Sequence, residues 1–382
     1  VSLPTAPTRA VVYRYAAALV IGCVLFVAVR QRRDFWDFEV YRTAGARVMA
    51  AEPLYRADDG HYQFKYWPAF AMVMAPFSLL PLAPAALIWF LCSIVLLSNY
   101  FDRAIGALPD RRTSARVLLW WTIALCLKFI VKELVNGQAN VLMALLVFGG
   151  AMRVEQGRTL SAGVLIGLAA FVKPYALLVI PWLAVSAGIG ALGAAAAVVV
   201  AGLLLPAAIY GWGGNLVQLQ AWYAAVAETT APNLLLPENI SFATMWGKWI
   251  GAGPEAMRNA MLTSVAALVV AVVVWWRRGR GTRAAYLEVS LLLLLMPLIS
   301  PQGWDYVLLV ALPAFVCVVD RFRELRWSWR LIAGAGLALT GFTIFDLLGR
   351  RLYSALMARS VVTVGAILLV ATIAHIRWKR LA

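Results

Sequence analysis

The chain has 382 residues, 63% of them hydrophobic and 14% charged, with a mean hydropathy of +0.80 and a formal net charge of +16. A water-soluble domain carries roughly a quarter charged residues, so this sequence cannot cover a water-facing surface and leaves the soluble class. The positive balance would suit nucleic acid, but its distribution along the chain is that of membrane topology, and no nucleic-acid partner is expected.

The apolar residues come in continuous blocks, not in alternation, which favours spanning helices over barrel strands. The first block, Ala10 to Val29, is long enough to span and lacks a small-residue cleavage site, so it reads as an anchor, not a leader. The candidate spans are 10–29, 83–101, 114–132, 139–154, 159–172, 175–188, 189–209, 256–276, 284–300, 304–319, 331–348 and 360–376. Segment 66–82 is apolar but short, with prolines at 68, 76 and 81, and reads as re-entrant or as a bent start to the second span. Stretch 159–188 is either one long helix or two short ones broken at Lys173-Pro174. Residues 35–50 carry apolar side chains at helical spacing and predict a short interfacial helix; Gly213 to Val226 could form another. The expected fold class is an all-α polytopic membrane protein of about a dozen spans, with interfacial helices in the outer loops and residues 1–382 forming one domain.

Charge orients it. With the N-terminus in the cytoplasm, the inner segments hold 19 basic residues against 5 acidic, and the outer ones 14 against 12. The positive-inside rule requires this asymmetry. Both termini are then cytoplasmic, and the long loops 30–66 and 210–255 lie outside, together with 133–138, 173–174, 301–305 and 349–359. The four cysteines fall within apolar blocks as packing residues, and two histidines cannot build a zinc cluster.

Three clusters carry chemistry. Asp34, Asp37 and Glu39, followed by Tyr41, sit just outside the first span. They read either as a general base at the membrane surface or as a solvated interfacial helix. Glu133, Asn136, Gln138 and Asn140 form a polar patch between two spans, suited to sugar hydroxyls or to capping the two helices. Lys173-Pro174 places a cation at a helix break, either for a lipid phosphate or snorkelling to headgroups. Gln302 and Asp305 lie in a further polar loop, and Arg350, Arg351 and Arg359 in the last outer one, where they pair an anionic group or anchor the interface. Asn239-Ile-Ser241 is a weak glycosylation sequon. No nucleotide-binding glycine motif, zinc-protease motif or nucleophile elbow occurs.

The segments DFEVYRTAGARVMAAEPLYR, FKYWPAFAMVMAPFSLLP, NGQAN, FVKPYALLVIPWLA and SPQGWDYVLLVALPAF, in that order, resemble the polyprenyl-phosphate-mannose-dependent mannosyltransferases of glycosyltransferase family 87. The resemblance implies a GT-C fold and transfer of a glycosyl group, mannose first, from a polyprenyl-phosphate sugar to an acceptor hydroxyl. Transfer would invert the anomeric centre at the outer face of a bacterial plasma membrane. It implies Asp37 as base, with Asp34 in reserve, and Lys173 with Arg350 and Arg351 at the donor phosphate. Glu39, Tyr41, Glu133, Asn136, Gln138, Asn140, Asn239, Gln302 and Asp305 would serve the sugar and the acceptor. Some family members have a histidine in the late Ser-Pro loop, where this chain has Gln302, Asp305 and Tyr306. No metal or other cofactor is expected; the partners are the lipid-linked donor, a glycolipid or polysaccharide acceptor and membrane lipids. The alternative is a transporter or flippase of lipid-linked or anionic solutes, which expects functional polar groups near the bilayer midplane.

Overall fold

The computed structural model describes residues 9–30, 35–276 and 284–379, and among them the chain is helical without a named strand. The helices are α1 (Arg9–Arg30), α2 (Trp36–Met49), α3 (Pro68–Ser78), α4 (Leu82–Gly106), α5 (Ala115–Asn136), α6 (Asn140–Glu155), α7 (Thr159–Val172), α8 (Ile180–Leu204), α9 (Ala207–Asn233), α10 (Phe242–Ile250), α11 (Pro254–Trp276), α12 (Ala284–Ile299), α13 (Leu312–Arg321), α14 (Trp327–Gly341), α15 (Phe345–Ala358) and α16 (Val361–Lys379). Short 3-10 turns occupy Ala57–Tyr62, Pro174–Val179 and Asp305–Ala311.

Among the described residues, four stretches are long and apolar enough to cross a membrane: α4, Pro174–Leu204, α11 and α16. A fifth is the pair α14 and α15, if its 101° bend lies within one span. The other apolar blocks form shorter helices, among them Tyr15–Ala28, α3, α7 and α12. The chain is an all-helical membrane protein.

Local chemistry explains where the helices break. Lys173 adopts an extended backbone ahead of Pro174, which ends α7 and decides the 159–188 stretch in favour of two pieces. Gly188 takes a positive φ inside the α8 stretch, at the junction of the expected spans 175–188 and 189–209. The expected span 331–348 is broken between α14 and α15, and the expected span 304–319 begins as a 3-10 turn. The 66–82 segment contains α3, entered through Pro68 in the first turn. The two interfacial predictions fall on helices, α2 and the part of α9 beyond its kink at Gly211.

Helix α12 is buried from Ala285 to Leu298, and a helix apolar all round belongs at the centre of a bundle. It packs against α6, α11, α13 and α16. Helices α7 and α8 approach closely because a Cβ at Gly163 would lie 2.1 Å from the Ala191 carbonyl oxygen. Small residues at such crossings let helix backbones touch in a bilayer.

Candidate active site

The site begins at the turn between α5 and α6. Gly137 closes α5 in the left-handed conformation, with φ +68°. The Gly137 amide donates to Leu134 O at 3.3 Å and the Gln138 amide to Glu133 O at 2.9 Å, the paired bonds of a glycine-ended helix. The turn is pressed against α2, since a Cβ on Gly137 would lie 2.7 Å from the Phe38 Cβ. Trp89 Nε1 also donates to Gly137 O at 2.8 Å. This contact sets the Gln138 side chain opposite Asp37, in the first turn of α2.

Gln138 is the hub. Its Nε2 donates to Asp37 Oδ2 at 2.5 Å and to the Tyr306 hydroxyl at 3.2 Å. Its Oε1 accepts from Lys173 Nζ at 3.1 Å and, more distantly, from Tyr41 and Asn140. A buried amide with partners on both ends has its orientation fixed. A base candidate and a cation candidate, 136 positions apart in sequence, therefore meet on one side chain.

These groups face a cavity of about 500 Å³. Asp37, Tyr41, Asn136, Gln138, Lys173 and Gln302 line it, as do Lys65, Tyr66, Tyr175, Thr230 and Tyr306. At the rim, Trp36 stacks on Tyr62 with ring centroids 5.0 Å apart, and both stay partly open to solvent. Trp222 and Val226 of α9 also line the cavity, so parts of the 30–66 and 210–255 segments meet there. Gln302 holds α9 there by donating to the hydroxyls of Thr229 and Thr230 at 3.2 and 3.0 Å.

Burial raises the Asp37 carboxyl above its ordinary pKa; Lys173, the Gln138 hydrogen bond, Lys65 and His61 pull it the other way. Burial likewise pushes Lys173 down to about 8, against the pull of Glu133 and Asp37. Lys65 is lowered too, by burial, with Asp37 opposing. A carboxylate whose proton affinity is raised, facing ammonium groups, suits proton abstraction beside a stabilised anion.

Other expected residues are hydrogen-bonded within the protein or lie away from the cavity. Glu133 Oε1 accepts from the Val141 amide at 2.9 Å and Oε2 from Asn140 Nδ2 at 2.7 Å. Asn140 Oδ1 accepts from the Tyr175 hydroxyl at 3.0 Å. Asn239 is buried and donates to the carbonyls of Asn233 and Pro301, so the sequon is enclosed. Asp305 is buried between Lys132 and Lys128, at 2.9 and 3.7 Å. Glu39 is half-buried and Arg350 and Arg351 are exposed; none of the three lines the cavity. Asp34 lies outside the described residues. The sequence reading passed over Lys65, Trp222 and Thr230. For Lys65 the signal was present as a lone cation directly ahead of an apolar segment.

Residues 64–301, more than half of the chain, match the model of glycosyltransferase family 87. The chain belongs to glycosyltransferase family 87. It is a membrane glycosyltransferase, with a sugar donor and an acceptor as its partners. The family match takes in Lys65, Gln138, Lys173 and Gln302 and begins downstream of Asp37. Curated proteins gave no match to the chain.

Proposed function

We propose that this family 87 enzyme transfers mannose from a polyprenyl-phosphate sugar to an acceptor hydroxyl at the outer face of a bacterial plasma membrane. The proposed frame is a GT-C fold of about twelve spans, with both termini cytoplasmic. The observation that carries the reading is a carboxylate, Asp37, sharing one cavity with two ammonium groups, Lys65 and Lys173.

Asp37 takes the acceptor proton as the acceptor oxygen attacks the anomeric carbon. The phosphate leaves from the opposite face, which inverts that centre. Lysine charge stabilises the departing phosphate at the wall of a protein cavity, where such charges count for more than in bulk solvent. The reaction draws its positive charge from lysines and invokes no metal. Asn136 and Gln302 offer amides to the transferred sugar, and the Trp36–Tyr62 pair offers a flat apolar face to a glycan acceptor. The deep charges are satisfied within the protein: Lys128 donates to Thr343 O, and Glu288 accepts from Trp182 and Arg377. That pairing leaves little for a transported solute at the midplane.

The test is transfer by purified protein in nanodiscs, with polyprenyl-phosphate mannose as donor and glycolipids as acceptors. Removal of a general base costs about 10²- to 10⁴-fold. Asp37→Asn, folded as judged by its melting temperature, is expected to lose transfer to that degree. Equal rates for wild type and variant would remove Asp37 from the reaction.

A further inference from the structure

The two cavity lysines stand in different circumstances. Lys173 donates to Gln138 at 3.1 Å, and its ammonium lies over the rings of Tyr66 and Tyr175, 5.5 and 5.9 Å from their centroids. Its charge is balanced by Glu133 and Asp37 together. Lys65 is balanced by Asp37 alone, and among the described residues its ammonium has no hydrogen-bond or ion-pair partner. Its backbone is nonetheless held at two successive carbonyls. Trp222 Nε1 donates to Lys65 O at 3.1 Å, and the next residue's carbonyl accepts from the Tyr55 hydroxyl at 2.6 Å. The backbone at Lys65 is thus held, while its ammonium, with three donors, belongs to a residue lining the cavity. Burial works against the charge of both lysines, but only Lys173 already spends a donor on a protein acceptor, so an arriving anion finds Lys65 uncommitted.

The leaving group supplies such an anion, and its charge grows during the reaction. In the donor the phosphate is a diester with one negative charge. As the acceptor oxygen bonds to the anomeric carbon, its proton passes to Asp37. The electron pair of the carbon–oxygen bond then departs on the phosphate oxygen. The product is a monoester carrying about −1.5 to −2 charges at neutral pH. A cation that met both forms equally would lower KM alone, whereas one that meets the added charge raises kcat.

Building on the function proposed above, we infer that Lys65 binds the charge the phosphate gains as the glycosidic bond breaks, and so holds the departing polyprenyl phosphate more tightly than the sugar donor. Lys173, already engaged by Gln138, positions the diester. The enzyme is then inhibited by its own lipid product, and continued turnover requires a reaction class that withdraws polyprenyl phosphate, by recharging it with sugar or moving it across the membrane.

The experiment compares wild type, Lys65→Met and Lys65→Arg in neutral phosphatidylcholine nanodiscs. It reads kcat and KM for polyprenyl-phosphate mannose, the inhibition constant of polyprenyl phosphate, and binding of polyprenyl phosphate by tryptophan fluorescence. Loss of one preorganised donor at a developing charge costs about 100-fold in kcat. Lys65→Met is expected to lose roughly that much, to change KM less than about threefold, and to weaken product binding at least about tenfold. Lys65→Arg, which keeps the charge, is expected to recover most of the product binding. Inorganic phosphate and phosphatidylglycerol are the competing probes, and neither is expected to displace polyprenyl phosphate. Equal losses in donor and product affinity, unchanged kcat in folded Lys65→Met, or displacement by phosphatidylglycerol would each overturn the inference. The fluorescence titration needs no turnover, which separates the two readings. Absent transfer with Lys65-dependent product binding refutes the donor sugar and keeps Lys65; transfer with Lys65-independent product binding refutes Lys65 alone.

Discussion

Replacing Gln138 by methionine keeps the bulk of the side chain but removes the amide that joins Asp37 to Lys173. The amide donates to Asp37 at 2.5 Å and accepts from Lys173 at 3.1 Å. A hydrogen bond to a charged group contributes about 1.5–3 kcal/mol. At ~1.36 kcal/mol per tenfold, one such bond corresponds to about 10- to 150-fold in kcat/KM. Water entering the cavity can replace the contact to Lys173, so one bond is the expected loss, not two. The pH profile gives the stricter reading. The Gln138 bond pulls the Asp37 pKa down against burial, so its loss moves the acidic limb of the rate profile to higher pH. The alkaline limb, near 8, follows Lys173, whose position is set by burial and by neighbouring charges, and is expected to stay. Transfer assays in nanodiscs from pH 5 to 9 measure both limbs. A folded Gln138→Met enzyme with unchanged kcat/KM and an unmoved acidic limb would refute the bridge as part of the site.

Wild-type transfer should give a bell-shaped profile, rising as Asp37 loses its proton above the ordinary carboxylate range and falling above about pH 8 as Lys173 loses its own. Gly137→Ala places a Cβ in the left-handed region, at about 1–2 kcal/mol, and 2.7 Å from the Phe38 Cβ. A lower melting temperature and slower transfer are expected together, because relief of the contact pushes α2 and Asp37 away from Gln138. Asp305→Asn leaves Lys128 buried without its carboxylate and should cost about 3–5 kcal/mol, read as a lower melting temperature, with Lys128→Met in the same chain recovering part of it. Trp36→Ala removes one ring of the stacked pair at the rim and is expected to raise acceptor KM several-fold while leaving donor KM in place.

Much of this was legible in the sequence because the chemistry sits where apolar blocks stop. Asp37, Gln138 and Lys173 each interrupt or flank such a block, and a polar residue there must be paired or functional. In sequence, stretch 159–188 is open between one helix and two; the extended Lys173 ahead of Pro174 and the positive φ of Gly188 are what break it. The helix lengths were less accessible. Hydropathy measures how much apolar chain there is, whereas 3-10 turns and the bend between α14 and α15 depend on what each segment packs against. The roles of Glu133, Asn140 and Asn239 were hidden for a related reason. Their side chains are consumed by the backbone of α6, by Tyr175 and by the loop at Pro301, partners that composition cannot assign. Lys65 stands in the sequence as a cation ahead of an apolar block, but its weight comes from facing Asp37 while lacking a partner among the described residues, which only three dimensions show.

The shortness of α7 reaches beyond packing. Its 14 residues make about 21 Å of helix, against about 30 Å of bilayer hydrocarbon. On the proposed topology α7 starts at the cytoplasmic surface, so Lys173 at its far end sits below the outer headgroup plane. Either the leaflet dips locally or the donor's phosphate sinks to meet it, and the cost of that deformation grows with lipid chain length. On that topology, transfer is expected to be fastest in thin bilayers and to slow as acyl chains lengthen, with no residue of the cavity altered.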